Sequence, residues 1–222
     1  AAIPAKIDDY AFLIWGLLDL YEATFNQRYL EEAIALNEEF VTHFWDVSEG
    51  GFFFTGNDDE SLLARPKEGY DGAVPSGNSA AMLNLLRLGR ITGETLYEEQ
   101  AAALSRAFAN QARQSPTGFA HLLSGLDFAI GPSLEIVVVG ETDALDTEAM
   151  ISALRSTYAP NKVVLLRTPG DDAPITDLAD FTQYQYALND KATAYVCRNY
   201  VCEFPTNDIE TMMGLIENAQ IE

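Results

Sequence analysis

The sequence predicts a mainly α chain of stacked helical hairpins over residues 1–131, closed by an α/β segment over residues 132–222 with a short, mostly parallel sheet. Three observations carry that prediction. Apolar residues recur at helical spacing through residues 8–45 and again through residues 76–130. A shift of 68 positions lays one pair of helices on the next. After Pro132 the helical spacing gives way to short β-branched runs.

The first helix spans Asp8 to Phe25, with Asp8 or Asp9 as its cap. Between Ala11 and Leu20 nearly every position is apolar, so the helix has hardly any polar face and belongs inside a larger assembly. Asn26-Gln27 breaks it. The second helix runs from Arg28 to Trp45, with Tyr29, Ala33, Leu36, Phe40 and Phe44 as its stripe and Glu31, Glu32, Glu38 and Glu39 outside it. The pair reads as an αα-hairpin.

A long connection follows, from Asp46 to Pro75. It holds Gly50-Gly51, the aromatic run Phe52-Phe53-Phe54, and the acidic Asn57-Asp58-Asp59-Glu60. Its aromatic anchors favour an ordered, functional loop, with the run at Phe52 as a short strand or hairpin arm. Ser76 or Asn78 caps a third helix to Arg90, Thr92-Gly93 turns the chain, and a fourth helix runs from Thr95 to Ala112. Under the 68-residue shift, Leu17, Leu18 and Leu20 fall on Leu85, Leu86 and Leu88. Thr24 falls on Thr92, Tyr29 on Tyr97, Ala33 on Ala101, Leu36 on Leu104 and Phe40 on Phe108. Such repeats bury their apolar faces only by stacking. A further helix begins near Thr117 and runs to Ile130.

The tail reads as strand (Leu134 to Val139), helix (Thr142 to Thr157), strand (Lys162 to Leu166), a third strand (Ala192 to Cys197) and a last helix (Asn207 to Ala219) capped by Thr206 or Asn207. Strand–helix–strand implies a βαβ unit with parallel pairing. Gly170 to Asp190 is acidic and in part irregular.

Charge and composition exclude several functions. With 48% apolar and 11% aromatic residues the chain can build a core. Its 34 acidic and 13 basic residues give a formal net charge of −21, a surface that repels nucleic acid and anionic lipid. The start, Ala1 to Lys6, lacks the pattern of a signal peptide, and Ala11 to Leu20 is too short to span a bilayer, so a cytoplasmic chain is expected. Cys197 and Cys202 are read as two buried thiols; a disulfide would need a turn at Arg198-Asn199-Tyr200, and two ligands are too few for a structural zinc. No dinucleotide, phosphate-loop or nucleophile-elbow motif is present, and no metal or cofactor is expected.

Four segments are distinctive in combination: Asp8-Asp9-Tyr10-Ala11; Phe44-Trp45-Asp46 with Gly50-Gly51-Phe52-Phe53; Arg65-Pro66-Lys67-Glu68-Gly69-Tyr70-Asp71-Gly72-Ala73-Val74-Pro75-Ser76-Gly77-Asn78-Ser79; and Ala194-Tyr195-Val196-Cys197-Arg198-Asn199-Tyr200-Val201-Cys202. In this order, over essentially the whole chain, they resemble the C-terminal part of the thioredoxin-domain spermatogenesis-associated family and its bacterial relatives. The resemblance implies a thioredoxin-like N-terminal domain ahead of an (α/α)6 toroid similar to six-hairpin glycosidases and N-acylglucosamine 2-epimerases. This chain has no Cys-x-x-Cys and only part of the hairpins, so a partial (α/α) toroid is implied. The resemblance implies a fold rather than a reaction.

In such a toroid the inner helices converge on a funnel, and the 68-residue register puts Asp8, Asp9 and Tyr10 on the same rim as Ser76, Gly77 and Asn78. Glu68, Asp71 and Asp9 are the candidate catalytic carboxylates; Asp8, Tyr10, Tyr70, Ser76 and Asn78 are the candidate ligand-binding set. Carboxylates beside aromatic rings suit sugars, one carboxyl protonating a leaving oxygen while another activates water or attacks. N-capping alone also accounts for Asp8, Asp9, Ser76 and Asn78, and turn chemistry for Asp71-Gly72. His43 and His121 read as packing residues, whereas an epimerase of the resembled type would use a histidine. Val139-Gly140-Glu141 reads as a simple turn. The sequence leaves catalysis open: the first reading is a glycosidase- or epimerase-like or sugar-binding protein with a carbohydrate ligand, and the alternative is a non-catalytic scaffold docking a thioredoxin-like domain or partner protein. Uncovered apolar helix surface predicts self-association or binding of the missing N-terminal part of the same protein.

Overall fold

A computed structural model describes residues 4–59 and 64–221. Ala1, Ala2 and Ile3 of the start and Glu60 of the acidic run lie outside the described residues. The chain divides into two compact units, Ala1–Gly89 with Glu94–Asp127, and Arg90–Gly93 with Phe128–Glu222.

The first unit is built from helical hairpins. α1 (Ile7–Thr24) buries Ile7, Ala11, Ile14, Leu18 and Tyr21, a stripe at helical spacing, against α2 (Gln27–Phe44), which buries Leu30, Ala33, Phe40 and Phe44. Asn26 caps α2, its Oδ1 accepting from Arg28 N at 3.1 Å. α3 (Gly77–Thr92) and α4 (Thr95–Gln114) repeat the arrangement, with Gly89 of α3 close against Tyr97 and Glu98 of α4. The 68-residue register holds at the turns. α1 and α3 end on Thr24 and Thr92, and each is followed by a left-handed residue, Phe25 (φ 53°) and Gly93 (φ 82°). At the starts α3 is two residues shorter, because Ser76 lies outside the helix as its cap: Ser76 Oγ accepts from Ser79 N. A 3₁₀ turn, Pro116–Phe119, leads into α5 (Ala120–Ile130).

The described residues of the connection between the hairpins are held by side chains, not by a strand. Among the described residues the connection forms single bridges only, Trp45 with Phe52 and Lys6 with Thr55. Phe52 is fully buried and stacks on Phe40 at 4.0 Å, with Trp45 edge-on at 4.9 Å. Gly50 is required twice over: its φ is +77°, and a Cβ would stand 2.8 Å from the Ala103 backbone. Lys67 Nζ donates to Asp46 Oδ2 at 2.7 Å and to Gly50 O at 2.9 Å, while Arg65 donates to His43 O and Thr55 O and lies over the Phe53 ring.

The second unit is a mixed α/β arrangement of β1 (Leu134–Val139), α6 (Leu145–Ser156), β2 (Lys162–Arg167), β3 (Thr193–Arg198), β4 (Val201–Cys202) and α7 (Ile209–Ile221). The sheet order is β2-β1-β3-β4. β1 and β2 are parallel, as the βαβ pattern predicts. The expected mostly parallel sheet is corrected beyond that pair, because β1–β3 and β3–β4 are antiparallel. A parallel β3 would need a crossover back along the sheet. The link from Thr168 to Ala192 carries only two 3₁₀ turns, Pro174–Asp177 and Asp180–Tyr184, and delivers Thr193 beside Val139, at the end where β2 leaves the sheet.

Two local expectations are also corrected. Cys197 and Cys202 are not thiols but a disulfide. Asn199 and Tyr200 both take positive φ (51° and 62°), a two-residue hairpin turn that sets Cys197 opposite Cys202. The cap of α7 is Asp208, not Thr206 or Asn207: its Oδ2 accepts from Thr211 N at 2.8 Å. Glu135 of β1 is fully buried, and the ion pair with Arg90 at 2.7 Å offsets part of its desolvation. No helix among the described residues is long and apolar enough to cross a membrane.

Candidate functional site

Within the first unit, the starts of α1, α3 and α5 are fastened together by two carboxylates. Asp71 Oδ1 accepts from Ser76 N at 2.9 Å, ahead of α3; Oδ2 accepts from His121 N at 2.8 Å and Leu122 N at 3.3 Å, in the first turn of α5. Asp8, in the first turn of α1, accepts from Gly77 N. Gly77 has no room for a side chain, since a Cβ would lie 2.7 Å from both Asp8 Oδ1 and Ile7 Cγ1. Helix N-termini carry a partial positive charge, so carboxylates settle there.

The remaining candidates divide by which way they face. The cap of α1 is Lys6, not Asp8 or Asp9, which lie inside the helix; Asp9 reaches back to it, its Oδ2 accepting from Lys6 N at 2.8 Å. Tyr10 turns toward α2 and stacks on Phe40 at 5.4 Å. Asn78, its partner by register, is fully buried: Oδ1 accepts from Phe52 N (2.7 Å) and Nδ2 donates to Phe52 O (2.9 Å) and Glu68 O (2.8 Å). Ser76 spends its hydroxyl on Ser79. Glu68 is exposed, and Tyr70 is exposed with its ring edge toward Phe119 and against Gly118.

Three residues outside the candidate set join Asp8. Phe12 and Trp15 stand four and seven positions after it, on one face of α1. Their rings lie 6.1 Å apart, and Trp15 stacks on the imidazole of His121 at 4.8 Å with 19° between planes. His121 is half-buried, and its Nε2 has no hydrogen-bond partner among the described residues. Burial, opposed by the Asp71 charge, pulls the His121 pKa below its ordinary value and so favours the neutral imidazole. Burial pushes the Asp8 carboxyl up; the Gly77 N–H opposes that shift and Asp9 adds to it. The i, i+4, i+7 spacing from Asp8 was the signal that could have found Phe12 and Trp15. His121 was visible, but only the tertiary contact with Trp15 gives it a setting. Among the described residues no group of three or more His, Cys, Asp or Glu could hold a metal ion.

The fold defines a class: a helical-hairpin repeat with its helix starts fastened by carboxylates, followed in the chain by a mixed α/β unit. No family model matches the chain. It is 36% identical to human spermatogenesis-associated protein 20 over 203 residues, 91% of this chain and 26% of that protein. The mouse protein of that name is 34% identical over 203 residues, with the same shares covered, and an uncharacterised protein of Caenorhabditis elegans is 30% identical over 214 residues, 96% of this chain and 28% of that protein. The chain is therefore homologous to spermatogenesis-associated protein 20, which supports the family read from its motifs; it spans about a quarter of the length of these relatives.

Proposed function

We propose that the face of α1 and α5 carrying Asp8, Phe12, Trp15 and His121 binds a carbohydrate, within a helical-hairpin toroid completed by further hairpins of a longer polypeptide. The observation that carries this reading is the Trp15–His121 stack with His121 Nε2 lacking a partner among the described residues. A buried polar atom without a partner is costly, and a ligand hydroxyl would satisfy it. An aromatic platform beside a carboxylate is suited to the apolar face and hydroxyl edge of a sugar.

The same groups define a reaction class. A neutral imidazole is a general base near pH 7, and a carboxyl with a raised pKa is a better proton donor than a surface carboxylate. That pairing fits glycosidase- or epimerase-like chemistry. In this reading Asp71, Asp9, Ser76 and Asn78 position the helix starts and do not touch the ligand.

The toroid rests on an asymmetry between register-matched residues. Leu13 and Leu20 of α1 are 55% and 45% exposed, whereas Ala81 and Leu88 of α3 are buried. At that end of the repeat α3 is bound to α1, with Asn84 Nδ2 donating to Ala11 O and Arg87 pairing with Asp19 and Glu22. By analogy the open face of α1, with the groove of Leu13, Leu17, Tyr29 and Leu36, takes a preceding hairpin. This docking role also favours the scaffold alternative as a second property of the chain.

Calorimetric titration with mono- and oligosaccharides tests the site. Saturable binding is expected, with Trp15→Ala, Asp8→Asn and His121→Ala each weakening it about tenfold, equivalent to about 1.4 kcal/mol. Binding that survives all three substitutions unchanged excludes this face.

A further inference from the structure

The second unit holds a pair of sulfurs that the proposed site does not use. Cys197 and Cys202 are opposed residues of the β3–β4 hairpin, joined as a disulfide. Cys197 is 2% exposed, while Cys202 is exposed on β4, the edge of the sheet. The two residues therefore differ in their exposure to solvent.

The bond adds little that the hairpin lacks. The tip is fastened separately: Tyr200 N donates to Glu135 Oε2 at 3.1 Å, Arg90 Nη1 donates to Asn199 Oδ1 at 3.2 Å, and the Tyr200 ring lies against Arg90 and Phe181. Beyond the pair, Glu203 N donates to Val196 O, and Ala194 and Thr206 exchange backbone bonds. The cross-link joins residues only five apart, and a cross-link restricts the unfolded chain less the shorter the loop it closes.

A buried side chain contacts the sulfur of Cys202 instead. Gln185 is 6% exposed and its Nε2 lies 4.0 Å from Cys202 Sγ, a donor that stabilises negative charge on that sulfur. Gln185 Oε1 is buried with no partner among the described residues. Beside the hairpin, a cavity of about 210 Å³ is lined by Cys197, Arg198, Glu203 and Asn218 among others.

We infer that Cys197–Cys202 is a thiol–disulfide exchange site that accepts electrons from a thiol reductant at Sγ of the exposed residue Cys202. The reductant's thiolate attacks Cys202 Sγ. A sulfur–sulfur bond forms there while the Cys202–Cys197 bond breaks, and Cys197 Sγ leaves with the electron pair and takes a proton. A second thiol of the reductant, or a second molecule of a monothiol, attacks the mixed disulfide. Cys202 leaves as a thiolate and is protonated, and the reductant departs as its own disulfide. Two electrons and two protons have then passed to the pair. The hairpin stays folded on its other fastenings, with β4 released from its covalent tie.

The test equilibrates the native protein in dithiothreitol and, separately, in glutathione buffers of graded potential, then alkylates and weighs it. Two alkyl groups added without denaturant, with an unchanged far-ultraviolet circular dichroism spectrum and full reversal on reoxidation, are expected. Reduction by dithiothreitol alone supports the site with a dithiol as its reductant; reduction by both supports it with a monothiol sufficing. Thiols that appear only in denaturant, or only with loss of helical signal, overturn it. In single variants, Cys202 of Cys197→Ser should alkylate at least tenfold faster than Cys197 of Cys202→Ser; the reverse order overturns attack at Cys202. Should either variant fail to fold, the wild-type titration decides.

Discussion

Replacing Asn78 by Ala should cost the protein stability rather than ligand affinity. Asn78 has no exposed surface, and its amide holds the N–H and C=O of Phe52 and the C=O of Glu68 at 2.7–2.9 Å. Phe52 is itself fully buried, so its two backbone groups would stay unpaired in the variant. Glu68 is exposed, and water can replace the third bond. At about 1–3 kcal/mol for each buried group left unsatisfied, the loss should come to about 3–4 kcal/mol. For a chain of this size that lowers the melting temperature by about 10 °C. Calorimetric unfolding reads it directly, and Asn78→Asp should fall at least as far, because it removes both donors and buries a charge. A variant within 1 kcal/mol of wild type would mean that the amide faces solvent or a ligand and does not hold the aromatic loop.

Two further outcomes follow from other contacts in the fold. Lys67 holds the Asp46 carboxyl far below its ordinary value of 3.8, so this pair's contribution is complete above that value and is lost as pH falls below it. Lys67→Met should therefore lower stability at pH 7 and flatten its fall between pH 4 and pH 2; urea unfolding at those pH values that shows equal slopes for variant and wild type would contradict the pairing. Replacing Cys197 by Ala together with Cys202 by Ser should cost at most about 2 kcal/mol in the same assay, the loop-closure value for so short a loop; a loss of 4 kcal/mol or more would make the disulfide a main support of the second unit.

The helices were legible because their signals are local. The stripe Ala33, Phe40 and Phe44, the break at Asn26-Gln27 and the turn at Gly93 lie within a few residues of what they determine. The 68-residue repeat was legible too, since matched residues occupy matched places at Ala33 and Ala101 and at Phe40 and Phe108. The direction of β3 was not: Thr193 to Arg198 reads the same for parallel or antiparallel pairing, and the choice depends on where the link from Thr168 returns the chain. The disulfide was hidden for a related reason, because spacing alone does not reveal the left-handed Asn199 and Tyr200 that turn the hairpin. The candidate site was half legible. Carboxylates at helix starts were visible, but whether each faces a ligand or a backbone N–H is tertiary information. Asp71 reaches α5, 50 residues away, and Asn78 reaches Phe52, 26 residues away.

Trp15 offers the most direct reading of the proposed carbohydrate face. The chain has two tryptophans, so Trp45→Phe leaves Trp15 as the sole indole reporter, stacked on His121. Titrating that variant with a panel of oligosaccharides should give a saturable change in indole emission for at least one sugar, abolished by adding Asp8→Asn or His121→Ala. Emission that stays flat across the panel while the protein remains folded would contradict carbohydrate binding at this face.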